Sequence, residues 1–187
     1  MTKVYFVRHC KPDFSIKDDL MRPLTKDGQK DCKKVTEFLS DKNITKIFSS
    51  PYKRAIDTIK DFAESANLKI NVIDDFKERK IGNAWIEDFD KFAKEQWHNF
   101  DYKLPGGESL NDVQRRNIKA LMNILEENVD HNIAISSHGT ALSTIINYFN
   151  KEFDYAEFEK IKDLMPFIVC FTFDGQDILN IEKFIFD

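Results

Sequence analysis

The chain has 187 residues, with 28 Lys and Arg against 32 Asp and Glu, so its formal net charge is −4. Hydrophobic residues make up 42% and charged residues 32% of the chain, a balance that is typical of folded proteins and excludes intrinsic disorder. The mild acidity offers no general attraction to nucleic acid or to an anionic membrane, so a site for an anionic ligand must be a local basic pocket.

Cysteine usage and the first residues of the chain indicate the compartment. The apolar run at residues 4–7 is too short for the core of a secretory signal, and no run approaches the roughly 20 residues of a membrane span. The three cysteines are widely spaced and form no CxxC pair, which argues against a zinc site or a redox pair. We therefore expect a cytoplasmic protein.

Short apolar segments alternate with helical patterns along the chain. Strand composition is found at residues 4–7, 44–48, 68–73, 133–135, 168–173 and 178–184. The spacing of apolar residues predicts helices that begin near residues 26, 51, 110 and 139, with Thr25 and Ser109 as N-caps of the first and third, and weaker helices within 86–103. This order predicts one domain over residues 1–187, a three-layer α/β/α sandwich with a mostly parallel central sheet and a partly helical covering insertion at about 80–108.

The predicted insertion is unusually aromatic. Its aromatic residues include Trp85, Phe89, Phe92, Trp97, Phe100 and Tyr102. We interpret them as the core of the covering region, because clustered aromatic side chains mostly supply buried apolar area. The alternative is that some of them line a ligand pocket.

Polar residues follow four of the predicted strands, at the edge where parallel sheets bind ligands. They are Arg8 and His9 after the first strand, Arg54 beyond the second, Glu78 beyond the third and His138 after the fourth. Guanidinium donors match the oxygens of a phosphate group, a neutral imidazole can attack phosphorus, and a carboxylic acid can protonate a leaving oxygen. The set predicts chemistry on a phosphate ester, since a simple phosphate receptor needs neither a nucleophile nor an acid.

Six short motifs, in this order along the chain, resemble those of a known family. They are Arg8-His9-Cys10, residues 22–28 (Arg-Pro-Leu-Thr-Lys-Asp-Gly), residues 49–55 (Ser-Ser-Pro-Tyr-Lys-Arg-Ala), residues 78–82, residues 105–109 and Ser137-His138-Gly139. Together they resemble the histidine phosphatase superfamily, which contains the cofactor-dependent phosphoglycerate mutases and broad-specificity phosphatases. The resemblance spans nearly the whole chain. It implies a phosphoglycerate mutase-like fold, a small phosphorylated molecule as the partner, and chemistry that uses no metal or other cofactor.

The resemblance also implies a role for each residue. His9 is expected to be the nucleophile that becomes phosphohistidine, and Glu78 the acid for the leaving group and then the base for water. Nearby arginine charge should lower the pKa of His9 and keep it neutral, and a backbone carbonyl should fix its tautomer. The substrate phosphate is expected to contact Arg8, His9, Arg54, His138, Gly139, Ser15 and Lys11.

The sequence departs from the family pattern beside the expected nucleophile. Cys10 stands where the family usually has glycine, Lys11 and Pro12 replace an acidic and a hydroxyl residue, and Ser15 stands where asparagine is common. The Cys10 thiol is interpreted as either buried and inert or reactive. We expect Lys11 to add positive potential at the mouth of the site.

Several residues also have plainer interpretations. His9 and His138 could be core histidines, Arg8 and Arg54 could form surface ion pairs, and Glu108 is a rival carboxylate to Glu78 with a structural role as its own alternative. Charged residues on a predicted helix or loop usually face solvent. On that basis we expect surface positions for His98, His131, Arg79, Arg115 and Arg116, with a role at the rim of the site as the alternative for Arg79.

Three functions are consistent with this sequence. The first is a phosphomonoesterase that acts through phosphohistidine. The second is a mutase with the same chemistry, although 187 residues leave little room for the lid segments that family mutases commonly have. The third is a non-catalytic protein that binds a phosphorylated ligand. The sequence predicts neither the natural substrate nor the oligomeric state.

Overall fold

A computed structural model describes residues 1–83 and 86–186 of the chain. Its strands form one sheet in the order β3-β2-β4-β1-β5-β6. The strands are β1 (Thr2–Arg8), β2 (Ile44–Ser49), β3 (Ile70–Val72), β4 (Asn132–Ser137), β5 (Phe167–Asp174) and β6 (Asp177–Ile185). The first four strands, β1, β2, β3 and β4, run parallel to one another. β5 is antiparallel to β1, and β6 is antiparallel to β5. The predicted mostly parallel sheet is confirmed.

The predicted third strand is shorter than expected. β3 covers Ile70–Val72, whereas the composition predicted a strand over 68–73. The amide of Leu68 instead donates to Ala63 O at 2.9 Å and closes the end of the preceding helix. That hydrogen bond delays the start of the strand, because one N–H cannot serve both the helix end and the ladder.

The helices surround the sheet. They are α1 (Lys26–Ser40), α2 (Lys53–Ser65), α3 (Phe89–His98), α4 (Leu110–Glu127), α5 (Gly139–Phe149) and α6 (Tyr155–Ile161), with a short 3₁₀ turn at Asp74–Phe76. Both predicted N-caps are confirmed: the Thr25 hydroxyl accepts from the Gly28 amide, and Ser109 forms a capping box with Asp112. The sequence analysis missed α6, which is only seven residues long.

Two apolar clusters fill the two faces of the sheet. Alternate residues of β1 show this division, because Val4 and Phe6 pack on one face and Tyr5 and Val7 on the other. α1 and α2 supply the helical side of the second cluster, while α3 to α6 supply that of the first. Helices therefore cover both faces, and the predicted three-layer α/β/α sandwich is confirmed.

The aromatic residues of the 89–102 region mostly belong to the core. Trp97 is buried, with its ring centroid 5.4 Å from that of Phe158 on α6 and 5.8 Å from that of Phe153. Phe92 is also buried, whereas Phe89 is partly exposed. The interpretation as core is confirmed for Trp97 and Phe92, and Trp85 lies outside the described residues. That residues 80–108 cover a ligand site stays a prediction.

The start of α1 presses against the chain that follows β1. Both the amide and the hydroxyl of Thr25 donate to Lys11 O. A Cβ atom on Gly28 would lie 2.3 Å from the same carbonyl oxygen, so no larger side chain fits there without displacing the backbone. Across the described ranges, 1–83 and 86–186, no helix is long and apolar enough to cross a membrane.

Candidate active site

The carboxyl ends of the parallel strands meet at one sheet edge. In the β1–β4 ladder Arg8 lies opposite Ser137, and in the β2–β4 ladder Ser49 lies opposite Ser136. The pairing extends past the strand ends, where the His9 amide donates to Ser137 O at 3.1 Å. The residues that follow these three strands are therefore neighbours, as the sequence predicted.

His9 has a fixed tautomer and a usable lone pair. Its Nδ1 lies 2.8 Å from Cys10 O, and because a carbonyl oxygen can only accept, Nδ1 carries the proton. Its Nε2 accepts a hydrogen bond of 3.2 Å from Arg54 Nε. The ring is 5% exposed. The Nε2 lone pair therefore points at a guanidinium group inside a nearly enclosed site.

The surroundings keep the His9 imidazole neutral. Burial lowers the pKa of His9 well below its usual value, and the positive charges of Arg54 and Arg8 lower it further. The hydrogen bond to Cys10 O opposes these effects but is outweighed. The structure therefore lowers the pKa of His9, which is the predicted direction.

A second imidazole packs edge-on against the first. The ring centroids of His9 and His138 are 5.2 Å apart, and those of Tyr52 and His138 are 5.0 Å apart. His138 Nε2 is 2.6 Å from Ser50 Oγ, whereas its Nδ1 is buried with no hydrogen-bond partner. Burial lowers the pKa of His138, followed in size by the charge of Arg54. One ring nitrogen of His138 is thus anchored, and the other is a buried polar atom without a hydrogen-bond partner.

Arg8 is oriented by the end of α6. Its Nη1 donates to Ile161 O at 2.9 Å and Leu164 O at 3.1 Å, while its Nε is buried without a partner. The carbonyls at a helix C-terminus favour a cation at this position. Burial lowers the pKa of Arg8 to about 10, so the group is charged at neutral pH.

Gly139 makes room for the Arg8 guanidinium. A Cβ atom on Gly139 would lie 2.8 Å from Arg8 Cζ and 2.9 Å from Arg8 Nε. Gly139 is also the first residue of α5, directly after His138. A glycine at this position therefore brings the unpartnered Arg8 Nε close to the start of α5.

We expect Gly139→Ala to lower kcat/KM by about 10- to 10²-fold, because displacing a positioning group by about 1 Å costs that much. We expect the loss to arise from displacement of the Arg8 side chain. A double-mutant cycle that combines Gly139→Ala with Arg8→Gln and measures kcat/KM tests this. In an Arg8→Gln background the added methyl group should cost little. Full additivity of the two losses would contradict the assignment to Arg8.

Arg54 is shared between His9 and the loop after β1. Its Nη1 donates to Asp19 O at 2.6 Å and forms an ion pair of 3.1 Å with the Asp19 carboxylate. The same carboxylate oxygen accepts from Arg22 Nη1 at 2.6 Å, and Arg22 Nε donates to Ile16 O. The sequence analysis quoted Arg22 only as part of a motif and missed Asp19. Together they fix the loop that borders Arg54.

The Glu78 carboxylate sits on the N-terminus of α5. It accepts hydrogen bonds from the amides of Thr140 at 3.0 Å, Ala141 at 3.1 Å and Arg79 at 2.7 Å. The positive end of the helix dipole favours a carboxylate there. Two first-turn amides of α5, those of Thr140 and Ala141, therefore bind the Glu78 carboxylate.

Comparisons with known proteins identify the family of the chain. The sequence matches the model of the histidine phosphatase superfamily, branch 1, over residues 4–178. The chain belongs to this superfamily. It is 28% identical over 152 residues to a Bacillus subtilis protein named uncharacterized phosphatase PhoE, covering 78% of this chain and 76% of that one. It is 27% identical over 159 residues to the probable phosphoglycerate mutase GpmB of Salmonella choleraesuis, covering 79% and 74% of the two chains.

Solved structures of low sequence identity share the fold. Bacillus stearothermophilus YhfR superposes with a TM-score of 0.79 at 20% identity, covering 96% of this chain and 95% of that one. A phosphoserine phosphatase mutant from Entamoeba histolytica, in complex with phosphoserine, gives a TM-score of 0.76 at 20% identity with coverages of 97% and 96%. These similarities establish the histidine phosphatase fold for almost the entire chain.

Two predicted phosphate ligands, Lys11 and Ser15, are exposed. The Ser15 hydroxyl donates to Asp13 at 2.6 Å, and Ser15 is exposed. Lys11 is exposed as well, and its carbonyl is used by Thr25. Across the described ranges, Ser15 has no hydrogen bond to His9, Arg54 or His138. Phosphate binding by Lys11 and Ser15 stays a prediction.

Cys10 is a buried core residue and not an exposed thiol. Its side chain is fully buried and packs in the apolar cluster with Val7 and Leu24, while its amide donates to Thr58 Oγ1 at 2.9 Å. A hydrogen bond with the Cys32 thiol raises the pKa of Cys10, and burial raises it further. Cys10 does not adopt a positive φ. Cysteine therefore replaces the usual glycine of the superfamily by filling the core side of the chain.

The expected surface positions were partly wrong. His98 and Arg115 are exposed, as predicted, and His131 is half-buried with its Nδ1 2.7 Å from Thr45 Oγ1. Arg79 is buried, because its side chain donates to Gln96 Oε1 and its guanidinium group lies over the rings of Phe89 and Phe92. Arg116 is also largely buried, because it bonds to backbone carbonyls near Glu78. Within the described part of the chain, no group of three or more His, Cys, Asp or Glu side chains is arranged to hold a metal ion.

Proposed function

We propose that the chain is a phosphatase that hydrolyses phosphate monoesters through a phosphohistidine on His9, with side-chain cations in place of a metal ion. One observation carries this proposal. The Nε2 of buried His9 accepts from Arg54, the His138 ring packs against the His9 ring, and the site holds two buried nitrogens without a hydrogen-bond partner, Arg8 Nε and His138 Nδ1. Buried donors of this kind are normally satisfied, so an anion with several oxygens is the expected ligand.

In the first half of the reaction, the phosphoryl group of the substrate enters between Arg54 and His9 and breaks the hydrogen bond from Arg54 Nε to His9 Nε2. Arg54 Nε then donates to a phosphoryl oxygen, and Arg8 and His138 take the others. The His9 Nε2 lone pair forms a bond to phosphorus while the bond to the leaving oxygen breaks, and Glu78, which enters this step as the carboxylic acid, gives that oxygen its proton. Cations on the equatorial oxygens stabilise the transition state, which is the main catalytic contribution in phosphoryl transfer.

In the second half, water replaces the alcohol. Glu78 takes a proton from the water as its oxygen bonds to phosphorus and the P–N bond breaks, which releases inorganic phosphate and restores neutral His9. The His9 Nδ1–H contact to Cys10 O persists through both halves, since it uses the other ring nitrogen. That contact stabilises the positive charge that the ring carries while it is phosphorylated.

The names of related proteins support two versions of this chemistry. One curated relative is named a phosphatase and another a probable phosphoglycerate mutase. A fold neighbour was solved in complex with phosphoserine. A mutase is therefore the second candidate, because it would use the same phosphohistidine but return the phosphoryl group to a second hydroxyl. The phosphatase is preferred, because solved fold neighbours, among them the phosphoserine phosphatase, carry phosphatase names.

Rapid-quench trapping tests the shared intermediate. Enzyme mixed with a ³²P-labelled phosphate ester should carry label that survives alkali and is lost in acid, as expected for a phosphoramidate. Steady-state assays then separate the two candidates: release of inorganic phosphate from p-nitrophenyl phosphate supports the phosphatase, and interconversion of 2- and 3-phosphoglycerate supports the mutase. Absence of labelled protein and of turnover across a panel of phosphate esters would favour the third function, a non-catalytic phospholigand-binding protein.

A further inference from the structure

Arg116 on α4 lies against the segment that carries Glu78. Its side chain is 13% exposed, whereas the side chain of the adjacent Arg115 is 75% exposed. Arg116 Nη1 donates to Asp75 O at 2.6 Å and to Lys77 O at 2.8 Å, and its Nη2 donates to Glu78 O at 3.2 Å. One guanidinium group thus holds the backbone at and before Glu78.

Glu108 completes this arrangement from the other side. It receives two bonds from Arg116, Nε to Oε1 at 2.8 Å and Nη2 to Oε2 at 3.0 Å. Glu108 Oε2 also accepts from the Lys80 amide at 2.9 Å, and the Glu108 amide donates to Lys80 O at 2.8 Å. Burial acts to raise the pKa of Glu108, but the bonds from Arg116 and Lys80 outweigh it and the pKa is lowered. Glu108 is therefore an ionised anchor for the chain just after Glu78.

The segment between these anchors depends on them for its position. Residues 77–83 belong to no strand or helix, so ladder hydrogen bonds do not hold them. An acid that transfers a proton must stand within hydrogen-bond reach of the leaving oxygen, and a misplacement of about 1 Å can cost about 10²-fold in rate. We propose that Arg116 and Glu108 are a positioning pair that holds Glu78 in line for proton transfer. This inference rests on the proposed function, in which Glu78 is the proton donor.

The proposed task requires the guanidinium shape and not only its charge. Arg116 serves three carbonyl oxygens and both oxygens of Glu108 at once, which uses the planar fork of five N–H donors. A lysine would keep the positive charge but could satisfy at most three acceptors. Arg116→Lys should therefore loosen Glu78 even though the net charge of the site is unchanged.

Leaving-group dependence distinguishes positioning of the acid from general support of the fold. p-Nitrophenolate departs without a proton, whereas the alkoxide from O-phosphoserine or glycerol 2-phosphate needs one. Glu78→Gln should lower kcat/KM on the alkyl ester by about 10²-fold or more, with a much smaller loss on the aryl ester. We expect Arg116→Lys to reproduce this asymmetry, with a loss of about 10- to 10²-fold on the alkyl ester and less than about threefold on the aryl ester.

Matched variants make the outcome decisive. Arg115→Gln alters the neighbouring, exposed arginine of the same helix and should leave both rates unchanged. Glu108→Gln provides a second test from the other partner if Arg116→Lys folds poorly, and thermal melting monitors folding in each case. Equal losses on both esters in the Arg116 and Glu108 variants, with asymmetry retained in Glu78→Gln, would overturn the positioning role alone. A Glu78→Gln variant without asymmetry would overturn the proton-donor assignment, and this inference with it.

Discussion

Replacing His9 with asparagine is expected to lower kcat by about 10⁴-fold or more, because the loss of a covalent nucleophile removes the intermediate and not merely a contact. Asparagine retains a polar group in the buried position without a lone pair that can attack phosphorus. The labelled intermediate should disappear together with turnover. Stopped-flow or discontinuous phosphate assays, combined with rapid-quench labelling, measure both quantities.

His98→Asn is the matched control for this experiment. His98 is exposed on α3, with its Nδ1 on the carbonyl of Lys94, and its replacement should leave turnover and labelling unchanged. Arg54 keeps its bonds to Asp19 in the His9 variant, so the melting temperature should change little. Retained labelling in His9→Asn would mean that another residue is the nucleophile.

Arg54→Gln is expected to lower kcat/KM by about 10³-fold, comparable with removing one cationic or oxyanion donor in other phosphoryl and acyl transferases. It should also change the pH profile. Neutral His9 is the reactive form, and burial followed by the Arg54 charge keeps the pKa of His9 below its usual value. Without that charge the pKa of His9 rises, so protonation removes the nucleophile at a higher pH.

The wild-type protein should accordingly keep its kcat/KM as the pH falls through the range where an ordinary histidine gains a proton, and the acidic limb of Arg54→Gln should lie at higher pH. Lys60→Gln, an exposed cation on the same helix, is the control for a general charge effect. An acidic limb that stays in place in Arg54→Gln, while the rate falls, would show that Arg54 contacts phosphate without influencing the His9 proton.

The sequence predicted the parts of the site that depend on local structure. His9 and His138 each follow a short apolar strand, and parallel strands bring their carboxyl ends to one edge whatever lies between them in sequence. Thr25 and Ser109 predicted two helix starts, because a side-chain oxygen before an apolar stripe can accept from the free amides of the first helical turn. These predictions needed only strand ends, caps and periodicity.

Long side chains account for most of what the sequence did not predict. Arg79 and Arg116 looked like solvated charges, since a guanidinium group on a loop or helix usually faces water. Their partners are backbone carbonyls, an amide and aromatic rings from distant segments, which become neighbours only after folding. α6 was missed because it is short, although its Asp154 cap, which accepts from the Glu157 amide, was a readable signal.

The contact between Gly28 and the Lys11 carbonyl gives the first helix an indirect part in the chemistry. The carbonyl that fixes the His9 tautomer belongs to Cys10, one residue before the oxygen against which Gly28 rests. The position of α1 therefore constrains the backbone next to the carbonyl that holds the His9 ring. A larger residue at position 28 would displace the Lys11 backbone and, with it, the adjoining Cys10 carbonyl that holds His9 Nδ1.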